Sequence, residues 1–249
     1  MGKAILIASG KGGTGKTMFA TDLGAMFAIM GRRVVIVDMD MGLRNVDLYL
    51  GLENNVVYDA HDAMTGLCRI SQALIRDERF RNLYIMGASP VKDGGYITPL
   101  HAKVLCEKLS DTFDVVIIDA PSGIDDGLVV ASAGADMAIL VTTPEYASIR
   151  NADTLDRVLL KLGVKERFVV VNRIQPEIMK AGYVPKIEEI GAMMMPPIIG
   201  AILQDENINI STNIGVPIVL KPGTYIRRNF ENIVRRLQRE DDAYEAGQA

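Results

Sequence analysis

Cysteine, histidine and surplus basic charge are all scarce in this chain. Cys68 and Cys106 are the only two cysteines in 249 residues and stand in no metal-ligand spacing, so a disulfide scaffold is excluded and a reduced, cytosolic setting is expected. With 27 basic against 31 acidic side chains the formal charge is −4, which disfavours a generally basic nucleic-acid binder. His61 and His101, the only two histidines, have no partner motif and read as ordinary surface or core residues. A signal peptide is also missing, because Lys11, Lys16 and a run of glycines interrupt the apolar residues that begin at Ala4. The apolar stretch Met193 to Leu203 is too short to cross a bilayer and contains Pro196, Pro197 and Gly200. No repeat or linker divides the chain, and 49% hydrophobic with 23% charged residues excludes disorder and collagen-like structure.

What the sequence does have is alternation. Ala4–Ala8, Val34–Val37, Leu83–Met86, Val115–Ile118, Met137–Val141 and Phe168–Val171 are short, continuous apolar runs, the pattern of strands buried on both faces of a parallel sheet. Between them the pattern predicts helices near 17–30, 99–109, 124–132, 147–162 and 206–213. The expectation is an α/β fold of P-loop NTPase type. It has a mostly parallel twisted sheet, helices on both faces, one domain over 1–240 and an acidic polar tail over 241–249.

In such a sheet a ligand sits outside the carboxyl ends of the strands. Ser9-Gly10-Lys11, Asp38, Asp119 and Asn172 all fall there. Any one of them alone is an ordinary turn residue; together they mark a site. Gly10-Lys11-Gly12-Gly13-Thr14-Gly15-Lys16-Thr17 fits G-x-x-x-x-G-K-[ST] with a strand before it and a helix after it. Its glycines let backbone N–H groups converge on phosphate oxygens at a helix N-terminus. Lys16 is expected on the β- and γ-phosphates and the Thr17 hydroxyl on Mg²⁺. Asp119, an acid closing an apolar run, is expected at the same ion, together with Asp38. For Asp40 a helix-capping or solvated role stands beside a functional one. Lys11 is surplus to a loop that already has Lys16, and reaching a neighbouring subunit's phosphates is a use for it.

These residues resemble a known family. Lys11-Gly12-Gly13-Thr14-Gly15-Lys16-Thr17 looks like the deviant Walker A motif of the MinD/ParA ATPases. The segments 38–48, 119–124 and Val171-Asn172-Arg173 are similar to the MinD branch, in order, from the first strand to the helix near Leu237. The resemblance implies an Mg²⁺-dependent ATPase that forms a homodimer with ATP, hydrolyses it slowly to ADP and phosphate, and takes part in placing the division septum. It implies that Lys11 crosses the dimer, Asp40 places the attacking water, Asp38 and Asp40 belong to a first switch, Asp119 begins a second, and Asn172 bonds adenine. Asn45 would lie at dimer contacts, and the helix around Arg150-Asn151-Ala152-Asp153 where a MinC-like inhibitor and a MinE-like activator bind. The setting would be cytoplasmic, with a peripheral place on the inner face of the membrane. Leu203-Gln204-Asp205 departs from the family's usual Pro-Glu-Asp beside the base.

Near the end, Ile226, Phe230, Ile233, Val234 and Leu237 form an apolar stripe at helical period, with Arg227, Arg228, Arg235, Arg236 and Arg239 read on the opposite side. A basic amphipathic helix can lie on anionic lipid, or the stripe can pack as the domain's last helix. The residues after it are acidic, unlike the family's membrane-targeting segment, so a soluble relative read by protein partners stays open. So do a ParA-like DNA-partition protein and a flagellum-placement ATPase, although the latter's N-terminal extension is not seen before Met1. An iron–sulfur ATPase of the nitrogenase type is excluded, because no cysteine follows Asp119.

Overall fold

The computed structural model describes residues 1–90 and 97–246, with side chains through Gln238. Eight strands form one sheet: β1 (Lys3–Ala8), β2 (Val34–Asp38), β3 (Ile75–Arg76), β4 (Leu83–Met86), β5 (Val115–Asp119), β6 (Met137–Thr142), β7 (Glu166–Ile174) and β8 (Ile198–Leu203). Their order is β3-β4-β2-β5-β1-β6-β7-β8, parallel throughout except for β3, which runs antiparallel on β4. The helices are α1 (Lys16–Ile29), α2 (Val46–Tyr49), α3 (Ala60–Thr65), α4 (Ile70–Ala73), α5 (Pro99–Ser110) and α6 (Asp126–Ser132). They continue with α7 (Tyr146–Lys161), α8 (Pro176–Lys180), α9 (Ile187–Met193), α10 (Glu206–Asn213) and α11 (Tyr225–Ala246).

Each central strand feeds two cores. Along β1, Ile5 and Ile7 pack with Phe19, Leu23 and Phe230 on one face. Ala4, Leu6 and Ala8 pack with Leu105 and Leu155 on the other. That division is the physical reason the strands read as unbroken apolar runs. Helix α1 lies against the sheet so closely that a Cβ at Gly24 would come within 2.6 Å of Ile36 Cδ1. Phe19 of α1 stacks on Phe230 of α11 with ring centroids 5.5 Å apart; burying each ring contributes about 1.5–3 kcal/mol and the pairing about 0.5–1.5 more. Strand β1 is central. Its crossover through α1 leads to β2, on the far side of β5, while β6 flanks β1 on the other side. The connections therefore diverge at the carboxyl end of β1 and leave a crevice there.

Five predicted helices appear as α1, α5, α6, α7 and α10, and the six apolar runs appear as strands. Strands β3 and β8 are additions. The first has two residues, too few for a pattern. The second, IIGAIL, follows two prolines and carries Gly200, whose missing Cβ admits Ile233 of α11. Helices α2, α3, α4, α8 and α9, with four to seven residues each, are shorter than two helical turns of periodicity.

At the C-terminus the apolar stripe of α11 is core. Ile226, Phe230, Ile233, Val234 and Leu237 are all at most 3% exposed. Of the arginines opposite it, Arg227 is half-buried, Arg228, Arg235 and Arg236 are exposed, and Arg236 Nη1 donates to the carbonyl of Ile199 on β8. The helix runs through Ala246, so much of the stretch 241–249 is helical; residues 247–249 and the side chain of Arg239 lie outside the described residues. Cys106 is a buried structural thiol, pushed up to about 12 by burial first and by Asp136 second. Among the described residues no helix is long and apolar enough to cross a membrane.

Candidate nucleotide-binding site

The loop between β1 and α1 is held in place by what its glycines lack. A Cβ on Gly10 would meet the Asn151 carbonyl oxygen of α7 at 2.5 Å. Gly13 and Gly15 have φ of 81° and 87°, in the left-handed region that side chains disfavour. Around Gly12 and Gly13 there is nothing within 4 Å of an added Cβ, so the loop presents bare backbone outward. Gly15 caps α1 without a side-chain bond, which leaves the first-turn N–H groups of that helix for an anion. Thr14 Oγ1 is buried and has no hydrogen-bond partner.

Lys16 and Thr17 converge on Asp119. Lys16 Nζ lies 2.7 Å from Asp119 Oδ1, and Thr17 Oγ1 donates to Asp119 Oδ2, also at 2.7 Å. Lys16 is 5% exposed and Asp119 fully buried, so the pair is shielded from salt. Asp38 sits beside Asp119 in register on the neighbouring strand. Its carboxylate accepts from the backbone N–H of Asp40 (2.9 Å), Asn45 (2.9 Å) and Val46 (3.1 Å). Burial first, and the charge of Asp119 second, raise Asp38 to about 7. The sequence assigns Asp38 to a metal; the geometry adds that it pins residues 40–46, the segment that follows β2. A hydroxyl and two carboxylates are hard oxygen donors of the kind Mg²⁺ takes, so Thr17, Asp38 and Asp119 fit that ion. Asp40 lines a cavity of about 450 Å³ with Met39, Leu43, Pro121 and Leu128, between the two segments that follow β2 and β5. Lys11 is exposed, with its backbone carbonyl accepting from Ser9 Oγ at 3.1 Å.

Asn172 closes the other side. It is 1% exposed, and its amide donates to the Thr14 carbonyl at 2.8 Å and accepts from Arg173 N–H at 2.9 Å. Asn172 therefore ties β7 to the phosphate loop while lining a cavity of about 130 Å³ with Gly15, Arg173, Gln204, Asp205 and Asn209. Arg173 has φ 56°, a conformation rare for a residue with a side chain. Arg173 and Asp205 stand in the segments that the resemblance singled out, Val171-Asn172-Arg173 and Leu203-Gln204-Asp205, whereas sequence reasoning missed Asn209. Its one signal was its place in the helix that follows β8, and β8 itself was not read as a strand. A larger cavity of about 570 Å³, near Lys3, Arg32 and Asp114, lies at the opposite ends of the strands and has no phosphate-binding loop. Asp59, His61 and Asp62 come within 4.8 Å of one another, but Asp59 and Asp62 are a capping box at the start of α3.

Comparison with known proteins decides the family. Residues 5–218 match the CobQ/CobB/MinD/ParA nucleotide binding domain. The septum site-determining protein MinD of Bacillus subtilis (strain 168) is 41% identical over 239 residues, 95% of this chain and 89% of that one. The chain belongs to the MinD family. Among solved structures, the MinC:MinD cell division protein complex of Aquifex aeolicus superposes with a TM-score of 0.88 at 34% identity, covering 95% of each chain. MinD of Pyrococcus horikoshii OT3, complexed with Mg-ADP, gives 0.85 at 27% identity over 95% of this chain and 96% of that one. The chain is thus a MinD-like P-loop ATPase of division-site placement, with the family's nucleotide-binding fold.

Proposed function

We propose that this MinD-family chain is a switch that dimerises with ATP and is released by hydrolysis. The observation that carries the reading is the convergence of Lys16 and Thr17 on Asp119 beneath an open glycine loop, with a second lysine, Lys11, exposed at its rim. Residues Gly10 to Thr17 would wrap the phosphates, Lys16 would move from Asp119 to the β- and γ-phosphates, and Asn172 would border the base. Mg²⁺ held by Thr17, Asp38 and Asp119 would neutralise phosphate charge. Asp40 would orient a water whose oxygen bonds to the γ-phosphorus as the bond to the bridging oxygen breaks. ADP leaves with that electron pair, and the water's proton ends on the released phosphate. Lys11 of one subunit would reach the phosphates of the other and stabilise charge that develops there.

Partners follow by the same reading. A MinC-like inhibitor and a MinE-like activator would dock at α7, whose Asn151 backbone packs directly on Gly10 of the loop. That contact gives a docked partner a short route to the phosphates. The location would be cytoplasmic and peripheral on the inner membrane face. Because the apolar stripe of α11 is buried, lipid contact would have to use other residues.

The test is sedimentation velocity with ATP or ADP, together with phosphate release, for the parent and Lys11→Ala. Lys11→Ala is expected to bind ATP as a monomer, to form no ATP dimer and to release no phosphate. An ATP dimer like the parent's would remove the cross-subunit role. Asp40→Ala is expected to keep the dimer and lose turnover, and normal turnover would end its assignment.

A further inference from the structure

The ends of two helices meet on one side chain beside the base-side cavity. Tyr49, the last residue of α2, forms one wall of that cavity, and Ile208, Asn209 and Thr212 of α10 form another. Just past both helices the backbones touch. Gly51 and Gly215 have φ of 63° and 65°, and a Cβ on Gly215 would come within 2.6 Å of Gly51 N and Cα. Arg79 bridges this contact. Its Nη1 donates to the Gly215 carbonyl at 2.7 Å and its Nη2 to the Leu50 carbonyl at 2.5 Å.

The guanidinium is itself fixed. Nε donates to Asp77 Oδ1 at 2.8 Å and Nη2 to Asp77 Oδ2 at 2.6 Å, a bidentate pair on a carboxylate that is 1% exposed. Asp77 directly follows β3, and its backbone N–H donates to the Leu83 carbonyl of β4 at 3.0 Å, so the fork stands on the edge of the sheet. Carbonyls at helix C-termini lack intrahelical partners and favour a cation. Arg79 serves one carbonyl from the end of each helix with a single rigid fork. The start of α2 is held separately, by Asp38 on the Val46 N–H.

We propose that Arg79 is a positioning residue for nucleotide binding. By holding the Leu50 and Gly215 carbonyls together, it sets the spacing of Tyr49 against α10 and so the width of the base-side cavity. The proposal rests on the reading that this cavity takes the base of the bound nucleotide. Arg79 does not line the cavity and acts through the two helices. Among the described residues its hydrogen bonds reach no part of the phosphate loop, so its effect is confined to the base end.

Titration calorimetry of the full chain with Mg-ADP and Mg-pyrophosphate tests it, since pyrophosphate engages the loop without a base. Arg79→Lys keeps a cation on Asp77 but cannot span both carbonyls. It is expected to weaken ADP binding about tenfold while pyrophosphate stays within about twofold. Phosphate release should show the same loss in KM for ATP, with kcat within about twofold. Gly215→Ala, whose Cβ would force the helix ends apart at Gly51, should also weaken ADP and spare pyrophosphate. An ADP affinity left unchanged by either variant, or an equal loss for ADP and pyrophosphate, overturns the proposal. A parent that binds ADP no more tightly than pyrophosphate would defeat the base reading itself, and the proposal with it.

Discussion

At the phosphate end of the site, one stretch from Gly10 to Thr17 supplies the glycines, the lysines and the hydroxyl, and a single distant residue, Asp119, completes the arrangement. At the base end, the cavity is assembled from Asn172 and Arg173 near the end of β7, Gln204, Asp205 and Asn209 after β8, and Tyr49 at the end of α2. The first is specified by local backbone conformation and a motif that spacing alone reveals. The second exists only once the sheet has brought three chain ends to one edge. Contiguity is what makes a site readable. A phosphate needs many N–H groups at once, which consecutive residues provide, whereas a base needs a few directed bonds that any nearby loop can offer.

The comparison can be broken most severely at Lys16. Lys16→Ala removes a charge from the transferring phosphoryl and leaves Asp119 buried without its cation. ATP turnover should fall about 10²–10³-fold by phosphate release, and the unfolding free energy by about 3–5 kcal/mol. Gly15→Ala strikes where the two ends meet, because its φ is 87° and an added Cβ would collide with the Asn172 amide. Urea unfolding should register a loss of about 1–3 kcal/mol, and ADP binding should weaken with it. Asn172→Ala separates the ends instead. Nucleotide affinity should drop about tenfold with little change in turnover at saturating ATP; a collapse of turnover would mean the loop depends on β7 for its shape.

The smallest effect probes a buried link between the ends. Asp22 of α1 accepts the Val219 N–H at 3.2 Å, just ahead of α11, and burial, its largest influence, raises it to about 7. Its folded value lies above the ordinary 3.8, so the unfolded chain gives up this proton first. Stability contributed here is full below about pH 4 and is lost as pH rises towards about 7. Asp22→Asn keeps an acceptor and removes the titration. Its unfolding free energy in urea should gain on the parent's across that window, by at least about 1 kcal/mol, and a constant difference would contradict the sign.

Much of this could be read beforehand, for physical reasons that also explain the gaps. Strands buried on both faces announce themselves as apolar runs, and Gly10 to Thr17 announces a phosphate loop. Strand β8 was hidden by Pro196, Pro197 and Gly200, although Gly200 is where Ile233 of α11 packs in, within 2.5 Å of an added Cβ. Asp38 was legible as an acid at a strand end, but not as the acceptor of three N–H groups from the segment it pins. The arginines after Tyr225 suggested a membrane face. The apolar stripe beside them is in the core, the packing that the sequence offered as its other reading, and Arg236 reaches the Ile199 carbonyl.

Described as a mechanism of jaws, α1 is the fixed one. Sheet below, α11 alongside and the Phe19–Phe230 stack leave it no room to bend, so the lysine and threonine at its tip cannot travel far. In the proposed switch, the segments after β2 and β5 would be the moving jaw. Each contains a glycine with left-handed φ, Gly42 at 91° and Gly123 at 98°, whose N–H donates to the carbonyl of Ser89 and of Ser9 respectively, and Asp38 holds the first segment through three further N–H bonds. In that switch, a change on one side of the phosphates would be turned into movement of a surface made by residues 40–46 and 120–125, while the other side would hold still.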